Sequence, residues 1–167
     1  RLKTILEEAA TADAPAGSDM QLVGTFYASY MDRARADALG LKPLDPLLAE
    51  IAEASTHEDI LRLYGQFIRL NVLAPFDFYV DRDRGDTSRS LFYFWQGGLG
   101  LPDRDYYTKD DDKFAAIRDA YVDYAATILS LSGEPDANEK ADRIMALEKS
   151  LAALHWPQEK LRDRIAT

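Results

Sequence analysis

Two histidines are the first residues to test for chemistry, because the chain has no cysteine that could act as a nucleophile or metal ligand. His57 and Glu58 begin like the zinc-peptidase motif H-E-x-x-H, which places two imidazoles on one helix face. Leu61 stands where the second histidine should be, so the motif is incomplete. His155 follows a helical pattern and is interpreted as a packed residue at a helix end. The sequence therefore predicts neither a catalytic residue nor a metal ligand in this segment.

A pair of carboxylates, Asp103 and Asp105, could share general acid and base work. Arg104 lies between them, and a proline-defined turn precedes them. Such residues commonly cap a following turn or pair with arginines, and this is the preferred interpretation. A small hydrolase that uses the two aspartates is retained as the weakest of three hypotheses.

Two ligand-binding motifs begin in the sequence but are incomplete. Gly98 and Gly100 match two glycines of the dinucleotide fingerprint, but the third glycine is missing. Asp103 lies where the phosphate-binding helix should begin, and its negative charge would repel a pyrophosphate. Residues 81–85 start like a calcium loop, but the fifth position is glycine and the twelfth is Phe92 in place of glutamate. The simpler interpretation of residues 81–85 is a solvated loop within a hairpin.

Length and composition narrow the class of protein. At 167 residues, 47% of them apolar, the chain can form one domain or a large part of a bigger one. A formal net charge of −9 argues against nucleic acid as a partner, because nucleic acid attracts clustered lysine and arginine. No apolar run approaches the roughly 18 residues of a membrane span, so no transmembrane segment is predicted. Both ends look truncated, since each lies in a continuing pattern.

Hydrophobic periodicity predicts helices over most of the chain. Ser18 with Gln21 three residues later is a capping box, and the 3.6-residue period that follows predicts one helix up to Gly40. Thr56, with Asp59 three residues later, starts another helix. Two long helical patterns follow residue 110. These observations favour a multi-helical lobe.

The pattern changes to strand period only once. Phe76, Phe78 and Val80 alternate with polar or aromatic residues, and residues 88–95 form a second β-prone run after a charged turn. We expect one antiparallel β-hairpin at about 75–95. The predicted fold class is therefore mainly α, a multi-helical lobe with a single hairpin.

The stretch after the hairpin has three glycines in four positions, closed by a proline. Glycines so dense indicate backbone angles or close approaches that a side chain would forbid. The signature residues are Gln96, Gly98, Leu99, Gly100, Leu101, Pro102, Asp103, Arg104, Asp105, Tyr106 and Tyr107. This block resembles a Gly-Leu-Gly-Leu-Pro-Asp/Ser-Arg-Asp-Tyr-Tyr block in the N-terminal region of the neprilysin and endothelin-converting-enzyme family of zinc metallopeptidases. Residues 120–124 and 144–152 resemble later segments of that family in the same order, and residues 155–156 and 162–163 resemble the bacterial form of the segment that comes next.

The resemblance implies a two-lobed, mainly helical zinc metalloendopeptidase, of which residues 1–167 form part of the N-terminal lobe. That lobe would cover the catalytic cavity and restrict access to smaller peptides. The family's zinc motif and catalytic residues lie beyond Thr167, so zinc would belong to the parent protein and not to this segment. The implied partners are the C-terminal catalytic lobe and peptide substrates. The absence of cysteine suggests a bacterial member, exported to the periplasm or cell envelope.

For the present residues the resemblance and the glycine pattern favour a structural role. A turn that is narrow at Gly98 and Gly100 and rigid at Pro102 would let the hairpin and the following helix pack closely. Asp103, Arg104 and Asp105 would fix it by hydrogen bonds and ion pairs. The alternative to a peptidase lobe is a helical binding module that has kept such a lobe without catalysis.

Overall fold

The computed structural model describes residues 1–72 and 74–163, which form two compact units, Arg1–Ala52 and Glu53–Thr167. The first contains α1 (Leu2–Thr11), α2 (Asp19–Met31), α3 (Arg33–Leu39), a 3₁₀ turn (Lys42–Leu44) and most of α4 (Asp45–Glu53). The second contains α5 (His57–Arg69), β1 (Phe76–Arg82), β2 (Ser90–Gln96), α6 (Asp105–Thr108), α7 (Asp112–Leu131), α8 (Ala137–Leu154) and α9 (Gln158–Leu161). The described residues are thus mainly helical with a single hairpin, and the predicted fold class is confirmed.

In the first unit, α1 packs against α2 through small residues. The side chain of Ser18 accepts a hydrogen bond from the Gln21 backbone N–H, which starts α2 as predicted. The prediction of one helix up to Gly40 is wrong, because the helix is interrupted at Asp32. The Asp32 carboxylate accepts from the Arg35 N–H at 2.9 Å and caps a new helix, α3. An aspartate can offer the backbone this alternative to continued helix.

In the second unit, α5 begins at a complete capping box. The Thr56 hydroxyl accepts from the Asp59 N–H at 3.1 Å, and the Asp59 carboxylate accepts from the Thr56 N–H at 3.0 Å. These bonds hold the pKa of Asp59 below its usual value, the hydroxyl of Thr56 being the largest cause. The predicted start of this helix is confirmed.

The hairpin joins β1 and β2 in antiparallel register, from Phe76 opposite Gln96 to Arg82 opposite Ser90. Side chains alternate between two faces, as expected of strands. Phe78 and Phe92 stack with ring centroids 5.3 Å apart on one face, and Tyr79 and Tyr93 stack at 5.2 Å on the other. Cross-strand aromatic pairs of this kind stabilise a two-stranded ribbon.

The core of the second unit lies where α6, α7 and α8 meet. Its buried residues are Tyr107, Met145 and Ala152, and the partly buried residues packed against them are Leu99, Leu101, Tyr106, Tyr121 and Val122. Asp111 caps α7 by accepting from the Phe114 N–H at 3.0 Å. Among the described residues, no helix is both long and apolar enough to cross a membrane.

Candidate functional site

The signature stretch is attached to α8 through one buried carboxylate, that of Glu148, which is only 8% exposed. The Gly100 N–H donates to Glu148 Oε2 at 3.1 Å, and the Tyr107 hydroxyl donates to the same oxygen. The Tyr121 hydroxyl donates to Oε1 at 2.8 Å. A buried carboxylate is tolerated only when it is well hydrogen-bonded, and these three donors from three parts of the chain supply that requirement.

Two tyrosines keep their protons in this cluster. Burial raises the pKa of Tyr107 well above its ordinary value, and the hydrogen bond to Glu148 adds to the rise. The Tyr107 hydroxyl oxygen also accepts from the Leu101 N–H at 2.8 Å, which opposes part of that rise. Burial is also the largest cause of the raised pKa of Tyr121, and its hydrogen bond to Glu148 raises that pKa further. Both phenols therefore remain neutral hydrogen-bond donors to the Glu148 carboxylate.

Two glycines are required where the turn comes close to its neighbours. A Cβ on Gly100 would lie 2.0 Å from the Tyr121 hydroxyl oxygen and 2.5 Å from the ring carbon that carries it. Gly98 has φ +81°, and a Cβ there would lie 2.5 Å from Pro75 Cα. Residues with a side chain rarely adopt the φ of Gly98, and a Cβ does not fit at either position. The close packing therefore depends on glycine at both positions.

The charged triplet after the turn is engaged in local contacts. The Asp103 carboxylate accepts from the Asp105 N–H at 2.8 Å, and Asp105 forms an ion pair with Lys109 at 2.8 Å. Arg104 Nε donates to the Ala152 backbone oxygen of α8 at 3.3 Å. Asp103 is thus bonded within the turn and Asp105 is paired with a lysine at the end of α6, and these local contacts argue against the hypothesis that the two aspartates carry out hydrolysis.

The first signature residue fastens the end of the hairpin. The Gln96 side-chain amide donates to the Trp156 backbone oxygen at 3.2 Å, and its oxygen accepts from the Trp156 N–H at 2.7 Å. Leu99, Leu101 and Tyr106 pack against the core, and Pro102 lines a groove beside them. The signature residues are therefore brought together around one turn, and their scaffolding role stays a prediction that the contacts support.

The two histidines lie apart from any metal-binding arrangement. His57 is the first residue of α5. His155 is partly buried beside the turn; burial lowers its pKa, the nearby Arg104 charge adds to this, and a hydrogen bond with the Gly97 backbone opposes it. Across residues 1–72 and 74–163, no three side chains of the metal-binding types converge. The described residues therefore do not fit a zinc ion.

Glu148 and Tyr121 are the two residues of the cluster that sequence reasoning missed. Glu148 lies on a stripe of α8 in which the other buried members are Ala141, Met145 and Ala152. These positions recur at three- and four-residue spacing, which is the pattern of a buried helix face. A glutamate on an otherwise apolar face is the signal that could have revealed a buried carboxylate needing partners.

The fold and the site define a mainly helical domain with a tightly packed glycine turn. The family model for Peptidase family M13 (Peptidase_M13_N) matches residues 1–167. The chain belongs to peptidase family M13.

Individual relatives agree with this membership. Endothelin-converting enzyme 1 of Cavia porcellus is 27% identical over 97% of this chain and 22% of its own length. Membrane metallo-endopeptidase-like 1 of Homo sapiens is 26% identical over 99% of this chain and 23% of its own length. The crystal structure of the zinc metalloprotease Zmp1 of Mycobacterium tuberculosis, in complex with inhibitor, matches with a TM-score of 0.87 and 37% identity over 97% of this chain and 25% of that one. The chain therefore spans about a quarter of the length of these relatives.

Proposed function

We propose that residues 1–167 are part of the N-terminal helical lobe of a zinc metalloendopeptidase that hydrolyses peptides. The observation that carries this proposal is the match of nearly the whole chain to Zmp1, a zinc metalloprotease, at 37% identity and a TM-score of 0.87. The lobe scaffolds the enzyme and covers its catalytic cavity. Its partners are the C-terminal catalytic lobe of the same protein and the peptide substrates.

The zinc ion of the proposed enzyme belongs to the parent protein. When bound, it supplies Lewis-acid activation of a peptide carbonyl and of the attacking water. The part of the chain that the structure describes offers no matching ligand group, so the contribution of these residues is to pack and to position. The Glu148 cluster suits that contribution, because it joins the glycine turn, α6, α7 and α8 through fully partnered polar groups.

We place the enzyme in the cell envelope of a bacterium, exported to the periplasm. The support is the resemblance of this cysteine-free chain to a mycobacterial protease at a higher identity than to the animal relatives cited above. Cysteine-free chains are compatible with an oxidising compartment, where unpaired thiols are a liability.

The full-length protein tests the function directly. We expect it to cleave a fluorogenic peptide, to lose that activity on chelation and to regain it with Zn²⁺, with about one zinc per chain by elemental analysis. The matched variant Asp105→Asn should keep the metal dependence. A full-length protein that binds peptide but neither holds zinc nor cleaves would favour the binding module. Chelator-resistant cleavage abolished by Asp105→Asn would favour the small hydrolase.

A further inference from the structure

The two edges of the hairpin can be told apart from its hydrogen bonds. The Asp83 N–H donates to the Arg89 oxygen at 3.0 Å, and the Gly97 N–H donates to the Pro75 oxygen at 3.0 Å. Hydrogen-bonded and non-bonded pairs alternate along an antiparallel ladder. In the observed register, the even-numbered residues of both strands therefore direct their N–H and C=O groups away from the partner strand.

The outer edge of β1 is partly blocked. The Asp77 carboxylate accepts from the Phe78 N–H at 2.7 Å, and the Asp81 carboxylate accepts from the Arg82 N–H at 2.7 Å. Two of the outward amides of β1 are thus occupied, and two negative charges lie beside them. Occupied amides and charged side chains are the means by which proteins keep an edge strand from pairing.

The outer edge of β2 has no such protection among the described residues. Phe92 and Phe94 direct their amides outward, and their side chains are 55% and 66% exposed. The two rings contact each other at 5.2 Å and form one apolar face with Phe78 and Val80, the latter 70% exposed. An open, apolar edge strand of this kind readily accepts another strand.

A cavity lies at one end of this edge. It measures about 290 Å³ and is lined by residues 93–96 of β2 together with Leu154, Trp156 and Leu161. The Gln96 side chain holds the Trp156 backbone, so the wall formed by the α8–α9 connection is fixed relative to the strand. A strand paired with residues 90–94 could place one apolar side chain in this cavity, which is how strand-addition sites obtain specificity.

We propose that the outer edge of β2, residues 90–94, pairs with an extended apolar segment from another part of the same polypeptide. This inference rests on the proposed function, in which the chain is one part of a larger enzyme. The relatives are about four times longer than the chain, so most of such a polypeptide is available as a partner.

A permanent, intramolecular occupant is favoured over a transient one. A transient ligand would leave a row of phenylalanines and free amides open between binding events, which is an aggregation hazard. A segment of the same polypeptide is present at high effective concentration at all times. Among the described residues, the contrast with the partly blocked edge of β1 supports this, because the outward amides of Phe92 and Phe94 have no neighbouring carboxylate bound to them.

Amide hydrogen exchange of the full-length protein, resolved to single residues, tests the proposal. We expect the Phe92 and Phe94 amides to exchange at least about 100-fold more slowly than the Val80 amide, which lies outward on the blocked edge and serves as the matched control. The protection should persist on dilution and without added peptide. The Tyr93 amide, which faces β1, should be protected in every case.

Each other outcome overturns the proposal. Rapid exchange at Phe92 and Phe94 would show that the edge is free. Protection that disappears on dilution would indicate a second copy, and protection that appears only with a non-cleavable substrate peptide would indicate a substrate site. Equal protection of Val80 would indicate that a whole face is covered without strand pairing. Because exchange is measured independently of zinc content and cleavage, failure of this proposal is distinguishable from failure of the proposed enzyme activity.

Discussion

At the scale of single residues, the Glu148 carboxylate accounts for two residues of the signature block, Gly100 and Tyr107. The Gly100 N–H and the Tyr121 hydroxyl both donate to this carboxylate, which brings the Tyr121 ring close to the Gly100 backbone. A Cβ on residue 100 would therefore collide with Tyr121. Removing one partner of a buried hydrogen-bonded group costs about 1–3 kcal/mol, more for a charged group. The glycine, the two tyrosines and the glutamate therefore form one unit in which each member depends on the others.

Replacing Gly100 by alanine should destabilise the protein by about 1–3 kcal/mol, as overpacking commonly does. The added methyl group would meet the Tyr121 hydroxyl and force it away from Glu148. Urea unfolding followed by circular dichroism measures the loss. The matched control is Gly65→Ala in α5, where a Cβ has nothing within 4 Å, and it should stabilise by about 0.5–1 kcal/mol. Equal effects at both positions would contradict the steric argument.

The stability of the second unit should fall as the pH rises above about 10. The pKa values of Tyr107 and Tyr121 are raised in the folded state above the ordinary value of 10.0. Above that pH the unfolded chain releases protons that the folded chain retains, so the stabilisation present below pH 10 is progressively lost. Lys109, whose pKa is raised chiefly by its hydrogen bond with Asp105, adds in the same direction.

Phenylalanine variants separate these contributions. Tyr107→Phe and Tyr121→Phe should lower stability at neutral pH and flatten its decline between about pH 10 and 11, because each variant removes one proton-retaining group. Unfolding by denaturant across this pH range provides the measurement. Tyr30→Phe, at a tyrosine that is 80% exposed, controls for the loss of a phenol. An unchanged slope in both cluster variants would show that the tyrosines do not retain their protons.

At the scale of elements, sequence patterns predicted the features that depend on interactions between neighbouring residues. The hairpin was predictable because strand period, aromatic residues and a charged turn all agree over residues 75–95. The break at Asp32 was not, since the apolar period runs through it and only the carboxylate bond to the Arg35 N–H reveals a new cap. A continuous hydrophobic stripe therefore does not ensure a continuous helix where an aspartate can cap.

The candidate site likewise combines a feature that neighbouring residues determine with one that depends on distant segments. Glycine density and the closing proline marked the turn in the sequence, because tight backbone geometry leaves a local trace. The anchor, Glu148, is 48 residues from Gly100 and 41 from Tyr107, and its role depends on the packing of α8 against α7. Only its place on a buried helix face was accessible to sequence reasoning. Contacts between distant segments had to come from the fold.

At the scale of the whole molecule, the proposed function assigns the signature block and the zinc chemistry to different parts of the parent enzyme. The block connects β2 to α8 through Gln96, Gly100 and Arg104, all of which bond to α8 or to the residues just after it. These contacts hold the turn against α8 and the residues just after it. Changes in the block should therefore act on folding, and through folding on the amount of active enzyme.

Arg104→Ala in the full-length enzyme should lower the thermal unfolding temperature and leave cleavage preference unchanged. The substitution removes the hydrogen bond from Arg104 to the Ala152 backbone oxygen, at a cost of about 1 kcal/mol. The measurements are calorimetric unfolding and the ratio of kcat/KM for two peptides of different length. Arg33→Ala, at a side chain 91% exposed, is the control and should change neither. Unchanged unfolding together with a shifted peptide ratio would place Arg104 at the substrate and refute a purely structural role.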